Sequence, residues 1–305
     1  MKLQVKISDK DAGKTLRDFL KNTLRISSNL LIRLKKEENG IQINGEHKTV
    51  RYILQPGDLL TISEPENQTS DAIVATKMPL EILYEDDQIV VVNKAPFVPT
   101  HPSHRHYTDS LANGLMYYYQ NQKIDFVFRA CNRLDKNTSG VVLVAKTQFA
   151  AAHITRQIRA HQVQKKYIAI LDGILPKTQG TIETYLRRKQ ESIILREVCT
   201  QQDPGSLYAK TDYVVLTSSP THSMVCAEPV TGRTHQLRVH FSWMGAPITA
   251  DTLYGSQCTG FPRQALHASQ LTIRHPLTQQ TQTFMAPLPE DLCSLATTLG
   301  LSFPE

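Results

Sequence analysis

Between Lys14 and Lys36 the apolar residues return every three or four positions, Leu16, Phe19, Leu20 and Leu24, then Leu30, Leu31 and Leu34. That is the spacing of one buried helical face. Ser27 and Ser28 fall between the two sets, where a helix N-cap belongs, so the pattern predicts a helical hairpin. Asn39-Gly40 can close the second helix, and the period then changes: Ile41 and Ile43 alternate as in a strand. Asn44-Gly45 is a hairpin-turn signal, a second short strand follows, and Pro56-Gly57-Asp58 leads into Leu59-Leu60-Thr61-Ile62. One small unit is therefore expected over residues 1–63. Residues 64–78, with Glu-Pro-Glu-Asn-Gln-Thr-Ser-Asp, have the polar composition of a linker. Residues 79–305 form the second domain.

In that larger region Ile82–Lys94 predicts two strands joined by an acidic turn, stopped by Ala95-Pro96. Val141–Ala145 is an apolar, β-branched run suited to a buried strand, and Phe149–Val163 has helical spacing, with Ile154 and Ile158 one turn apart. Lys165–Gly173 and Ala209–Val215 predict further strands, and two more close the chain around Leu271–Arg274 and Phe284–Ala286. The run Cys131–Thr147 organises the rest. Turn formers Asp135, Asn137, Ser139 and Gly140 stand immediately before a buried strand, which holds one carboxylate on a tight polar loop. Loops fixed on rigid strands are where catalytic side chains concentrate, although an isolated Asp in such a turn is more often a simple cap.

A second dense block, Pro229–His240, carries Arg233, His235 and Arg238 within six residues. The His101, His104 and His106 trio raises a metal site, but the intervening Pro and Arg disturb a shared geometry and no Cys or carboxylate completes a ligand set. No metal is therefore expected.

Composition adds a little. The 305 residues carry a net charge of +6, and 12 Lys plus Arg against 7 Asp plus Glu lie in residues 1–63, so the basic excess is concentrated there. This suits a polyanionic partner. The five cysteines are scattered without a Cys-x-x-Cys pair, which points to a reducing cytoplasm. The N-terminus lacks a signal peptide's apolar core, no run is long enough to span a membrane, and no protein partner is evident.

Asn132-Arg133-Leu134-Asp135-Lys136-Asn137-Thr138-Ser139-Gly140 closely resembles the signature of the RluA-type RNA pseudouridine synthases, His-Arg-Leu-Asp-x-x-Thr-Ser-Gly, with Asn132 in place of the His. Asn93-Lys94-x-Pro, Lys165-x-Tyr167-x-Ala169 and Thr231-Gly232-Arg233-x-His235-Gln236-Leu237-Arg238 extend the likeness, which continues through Asp251 and Tyr254-Gly255. Residues 1–63 are similar to the S4 RNA-binding domain. These resemblances imply an α+β fold: a mixed, largely antiparallel sheet flanked by helices, preceded by a small N-terminal α/β unit. They imply an isomerase that moves uracil from an N1 to a C5 linkage without cofactor or metal.

In that reading Asp135 is the catalytic carboxylate and Arg238 pairs with it, while Tyr167 stacks on the target base and helps remove the C5 proton. Arg133 fills the gap left by the extruded base or holds a phosphate. Asn132, Lys94, Arg233 and His235 contact the substrate, and in the S4-like unit Arg17, Arg33 and Lys36 meet phosphates. The implied partner is RNA, with ribosomal RNA favoured and tRNA the other option. Two other classes compete: a catalytically inactive RNA-binding protein in ribosome assembly, and a hydrolase using Asp135 with His235.

Overall fold

The computed structural model describes residues 2–63, 73–256 and 260–302. The first unit contains β1 (Lys2–Lys6), α1 (Leu16–Asp18) running into a π-type turn at Phe19–Thr23, α2 (Ser28–Leu34), β2 (Ile41–Ile43), β3 (Glu46–His47) and β4 (Leu59–Ser63). The expected helical hairpin is present, and both helices are capped by hydroxyls: Thr15 accepts from the Asp18 N–H at 3.0 Å and Ser27 from the Leu30 N–H at 3.2 Å. The Asn44-Gly45 turn has positive φ at both residues, +52° and +85°, as a tight two-residue hairpin requires. Strand β1 was not anticipated. It pairs antiparallel with β4 and completes a four-stranded sheet in the order β1-β4-β2-β3.

The core of this unit, including Leu16, Leu20, Leu34, Ile41 and Leu60, also contains Phe149 from the region that follows. Most of the expected linker, residues 64–72, lies outside the described residues. Its last part is not a free linker: the Asn113 side-chain amide donates to the Val74 carbonyl at 2.7 Å, and the Thr76 N–H to the Asn113 carbonyl at 3.1 Å.

The second region runs β5 (Glu81–Glu85), β6 (Ile89–Lys94), α3 (Leu111–Asn121), β7 (Ser139–Ala145), α4 (Gln148–Arg159), β8 (Gln164–Asp172), β9 (Gln179–Arg188), β10 (Arg196–Cys199), β11 (Leu207–Ser218), β12 (His222–Pro229), α5 (Gln236–Trp243), β13 (Leu266–Arg274), β14 (Thr281–Met285) and α6 (Glu290–Thr298). One ten-stranded sheet contains all of its strands, in the order β10-β9-β11-β12-β8-β13-β7-β6-β5, with β14 paired to β13. The fold is the expected α+β arrangement. Its pairings are antiparallel except that of β13 with β7.

That parallel pairing sets the geometry of the centre. Ala268 on β13 is the partner of Gly140 on one side and of Tyr167 on the other, so the Asp135 loop and the Tyr167 strand flank one small residue. Gly140 has φ +115°, and a Cβ there would stand 2.2 Å from the Ala268 carbonyl oxygen. Only glycine allows so close an approach.

Two fully buried histidines brace this region. His240 lies between the hydroxyls of Thr184 at 3.0 Å and Thr211 at 2.9 Å, and His267 between Ser139 Oγ at 2.9 Å and the Ala286 carbonyl at 3.2 Å. Burial lowers each imidazole from 6.5 to about 4. The unfolded chain therefore binds more protons between those values, and stability, complete above pH 6.5, falls as the pH drops toward 4. Each histidine contributes about 3 kcal/mol to that loss. Urea midpoints measured from pH 7 to pH 4 should fall steeply across this window, and His240→Gln should make the fall shallower. A flat profile would show that the two rings are not held neutral.

Candidate active site

The Asp135 loop is tied down from several directions. The Thr100 hydroxyl donates to the Leu134 carbonyl at 3.0 Å and accepts from the Leu134 N–H at 3.2 Å. Arg263 donates to the Asn137 carbonyl at 3.3 Å and Gln264 to the Thr138 hydroxyl at 3.1 Å. Beneath the loop Lys94 is only 1% exposed, and its ammonium donates to the carbonyls of Ala95 at 2.8 Å, Val98 at 2.7 Å and Lys136 at 3.1 Å. All three of its donors are spent on the backbone. The expectation that Lys94 contacts substrate is therefore corrected: it staples the loop from below. Burial, together with the Arg263 charge, lowers its ammonium to about 7.

Asn132 also has an internal task. Its side-chain amide donates to the Val141 carbonyl at 3.0 Å and its oxygen accepts from the Leu143 N–H at 2.8 Å. It fastens the start of the loop to β7 while lining the cleft. The adjoining Arg133 is exposed at the rim of the cleft.

On the opposite wall α5 brings in Arg238. Its side chain is buried, and Nε and Nη2 grip both oxygens of Asp251 at 2.6 and 2.8 Å. This fork leaves Nη1 to meet Asp135 Oδ2 at 3.0 Å. Burial opposes the Arg238 charge, but Asp251 and Asp135 outweigh it and raise its pKa. The Tyr254 ring lies 5.0 Å from the guanidinium carbon. Tyr254 Oη accepts from the Arg196 N–H at 3.0 Å and lies 2.8 Å from His235 Nδ1, whose Nε2 in turn is 3.7 Å from Asp135 Oδ2. Burial lowers the His235 imidazole, with the Asp135 charge opposing.

Asp135, Arg238, His235 and Tyr167 thus face one cleft of about 720 Å³, which Asn132, Arg133 and Arg233 also line. Arg233 is exposed, with Nε donating to the Tyr208 carbonyl at 2.8 Å. Burial, reinforced by the Asp135 charge, raises the Tyr167 phenol. Arg17, Arg33 and Lys36 do not line this cleft. Arg17 and Lys36 are exposed on the first unit, and Arg33 reaches Gln148 at 3.2 Å across the join. His101 packs edge-on against Phe128, while His106 bonds Asp109 at 2.6 Å, so these rings serve separate contacts. Sequence reasoning assigned no role to Asp251 or Tyr254. The Asp251…Tyr254-Gly255 pattern was the available signal, but the fork and the stacking exist only in three dimensions.

Comparison with known proteins identifies the class this geometry belongs to. The family profile for RNA pseudouridylate synthase matches residues 88–243. The uncharacterized RNA pseudouridine synthase YjbO of Bacillus subtilis is 40% identical over 272 residues, covering 89% of this chain and 95% of its own. Ribosomal large subunit pseudouridine synthase D of Neisseria meningitidis is 33% identical over 280 residues, 87% of this chain and 73% of its own. The structure of human RNA pseudouridylate synthase domain containing 4 shares the fold, with a TM-score of 0.62 at 24% identity over 74% of this chain and 95% of that one. The chain belongs to the RNA pseudouridylate synthases. Within them it is of the RluA type, an isomerase acting on uridine in RNA.

The role of Asn132 is open to a simple comparison. Asn132→Asp removes the donor to Val141 and sets a carboxylate against that carbonyl, so thermal melts should show about 1–3 kcal/mol of lost stability, with turnover reduced. Asn132→His can keep one donor and one acceptor in its neutral form and should retain turnover. Equal losses in both variants would refute the anchoring role.

Proposed function

We propose that Asp135 is the carboxylate that opens the reaction on an extruded uridine, and that the target lies in large-subunit ribosomal RNA. The observation that carries this reading is the Asp135–Arg238 pair, 3.0 Å apart in a cleft shared with Tyr167. Pseudouridine formation breaks the bond between ribose C1′ and uracil N1, turns the base and rejoins it through C5, with the C5 proton lost and N1 protonated. Nothing is oxidised and no group is imported. The chemistry needs one oriented carboxylate in a site that keeps water from the detached base. Asp135 meets that need either by adding to the nucleotide or by taking the C2′ proton, and Arg238, itself held by Asp251, fixes its direction.

Tyr167 serves as the face on which the base stacks. Burial and the Asp135 charge both disfavour its phenolate, which favours the neutral ring as the stacking face. A base can reach this cleft only by leaving its stack, as in other base-modifying enzymes. Arg133, exposed at the rim, is suited to occupy the space it vacates. His235 and Arg233 line the approach.

The first unit acts as an S4-like RNA-binding domain, in which exposed Arg17 and Lys36 contribute salt-dependent contacts to phosphates. Its attachment to α4 supports a fixed distance between those contacts and the cleft: His153 Nε2 lies 2.7 Å from the Leu24 carbonyl, and Arg156 donates to the Arg25 carbonyl at 3.1 Å. Ribosomal RNA is favoured because a relative bearing that substrate's name aligns over most of both chains. The cytoplasm is the compartment that fits such a substrate. Among the described residues no helix is long and apolar enough to cross a membrane.

Carbodiimide-based mapping of pseudouridine in total RNA from cells lacking the gene, complemented with the intact gene or with Asp135→Asn, tests the whole reading. One site or a small set of sites in ribosomal RNA should vanish and return only with the intact gene, while the purified variant keeps its melting temperature. A lost site in tRNA would change the substrate alone. Restoration by Asp135→Asn would sink the catalytic assignment.

A further inference from the structure

Lys165 stands in the cleft with no use found for it by the reaction as described. On β8 the side chains alternate between faces of the sheet, so Lys165 and Tyr167 point the same way, and both line the cleft. Lys166, between them, faces the other side and pairs with Glu228 at 3.2 Å. The Lys165 ammonium ends beside Gly232, where a Cβ built on that glycine would stand 3.6 Å from Nζ.

Among the described residues no carboxylate, carbonyl or hydroxyl engages it, and burial alone, unopposed by any charge, lowers its pKa. The neighbouring cations differ in this respect. Arg238 is gripped by Asp251 and Asp135, and Lys94 by three carbonyls. A half-buried ammonium without a partner costs free energy, and that cost is recovered only when an anion arrives.

The substrate carries such anions, one per nucleotide. The Asp135 charge perturbs Tyr167, His235, Arg238 and Lys94, whereas burial is the only influence on Lys165. Gly232 leaves the space before Nζ open: its backbone has an ordinary φ, and among the described residues, its chain neighbours aside, Nζ is what its Cβ would meet within 4 Å.

We propose that Lys165 seats a backbone phosphodiester flanking the extruded uridine, pinning the strand across the cleft while Tyr167 covers the base and Asp135 meets the sugar. The proposal rests on the reading that this cleft receives the uridine. It assigns the lysine a phosphate rather than a base atom, because a compact ammonium is a point-charge phosphate binder.

The test uses the full chain and the short target RNA defined by the mapping above, with Lys165→Met, Lys165→Arg and Gly232→Val. Lys165→Met should lower kcat/KM by about 10- to 100-fold, chiefly through KM. It should also reduce the slope of log binding constant against log salt by about 0.7. Its melting temperature should stay level or rise, since an unpaired charge has gone. Lys165→Arg should recover most of the affinity. Gly232→Val, which keeps the charge but fills its forecourt, should raise KM.

A neutral methylphosphonate at one linkage beside the target should cost the wild type the same factor and cost Lys165→Met nothing more. An unchanged KM and salt slope in Lys165→Met would overturn the proposal, as would methylphosphonate losses that add in full to the loss from Lys165→Met at every flanking linkage. Melting temperatures that fall in both Met and Arg variants would also overturn it, by showing a packing role. Should the wild type form no pseudouridine, the function reading fails, while the binding slope still decides the fate of Lys165.

Discussion

Arg238 is the residue on which the geometry of the site depends. Its guanidinium is planar, and two of its nitrogens are committed to Asp251, so the third can point in one direction only. That direction is Asp135. A lysine could supply the charge but not the fork, because an ammonium rotates freely about its stem. Burying this cation is tolerable only because two carboxylates and the Tyr254 ring surround it. The same cluster reaches the far end of the sheet, where the Arg196 N–H on β10 holds the Tyr254 hydroxyl against His235.

The opposite wall solves a different problem, that of holding a polar loop still at the edge of a buried strand. Hydrogen bonds from Thr100, Lys94, Arg263 and Gln264 converge on the backbone or side chains of residues 134–138, and Asn132 ties the loop's entrance to β7. The carbonyls here would otherwise be buried without partners, so each tether satisfies a group as well as fixing a position. Gly140 completes the arrangement by letting β7 lie against Ala268. The wall is thus rigid before any RNA arrives, and a preorganised carboxylate is what such chemistry rewards.

The two units share more than a linker. Phe149 of α4 lies in the core of the first unit, and α4 also places His153 and Arg156 on backbone carbonyls of residues 24 and 25. A basic surface and a reactive cleft are therefore parts of one body, as a long RNA substrate held at both places would require. Lys165 extends that theme within the cleft, where the charge left over by protein contacts matches the charge that the substrate brings.

The sequence by itself determined the elements whose residues carry local signals. Helical spacing with Ser27, the Asn44-Gly45 turn, the β-branched run of β7 and the dense block at Asn132–Gly140 were all legible, because caps, turns and strands depend on neighbours in the chain. So was the family, and with it the pairing of Arg238 with Asp135. Strand β1, helix α3 and the hairpin of β9 and β10 were not singled out: β1 alternates over only five residues, Gly114 and three successive tyrosines blur the helical pattern of α3, and β10 is four residues long, so long-range pairing and packing made them regular.

Tertiary structure alone decided what the polar residues do. Lys94 carries the same side chain whether it meets RNA or the protein's own carbonyls, and the choice between those partners depends on burial that no local pattern records. The Asp251 fork and a Lys165 without a partner among the described residues arise for the same reason. They are relations between segments far apart in the chain, and folding brings those segments together.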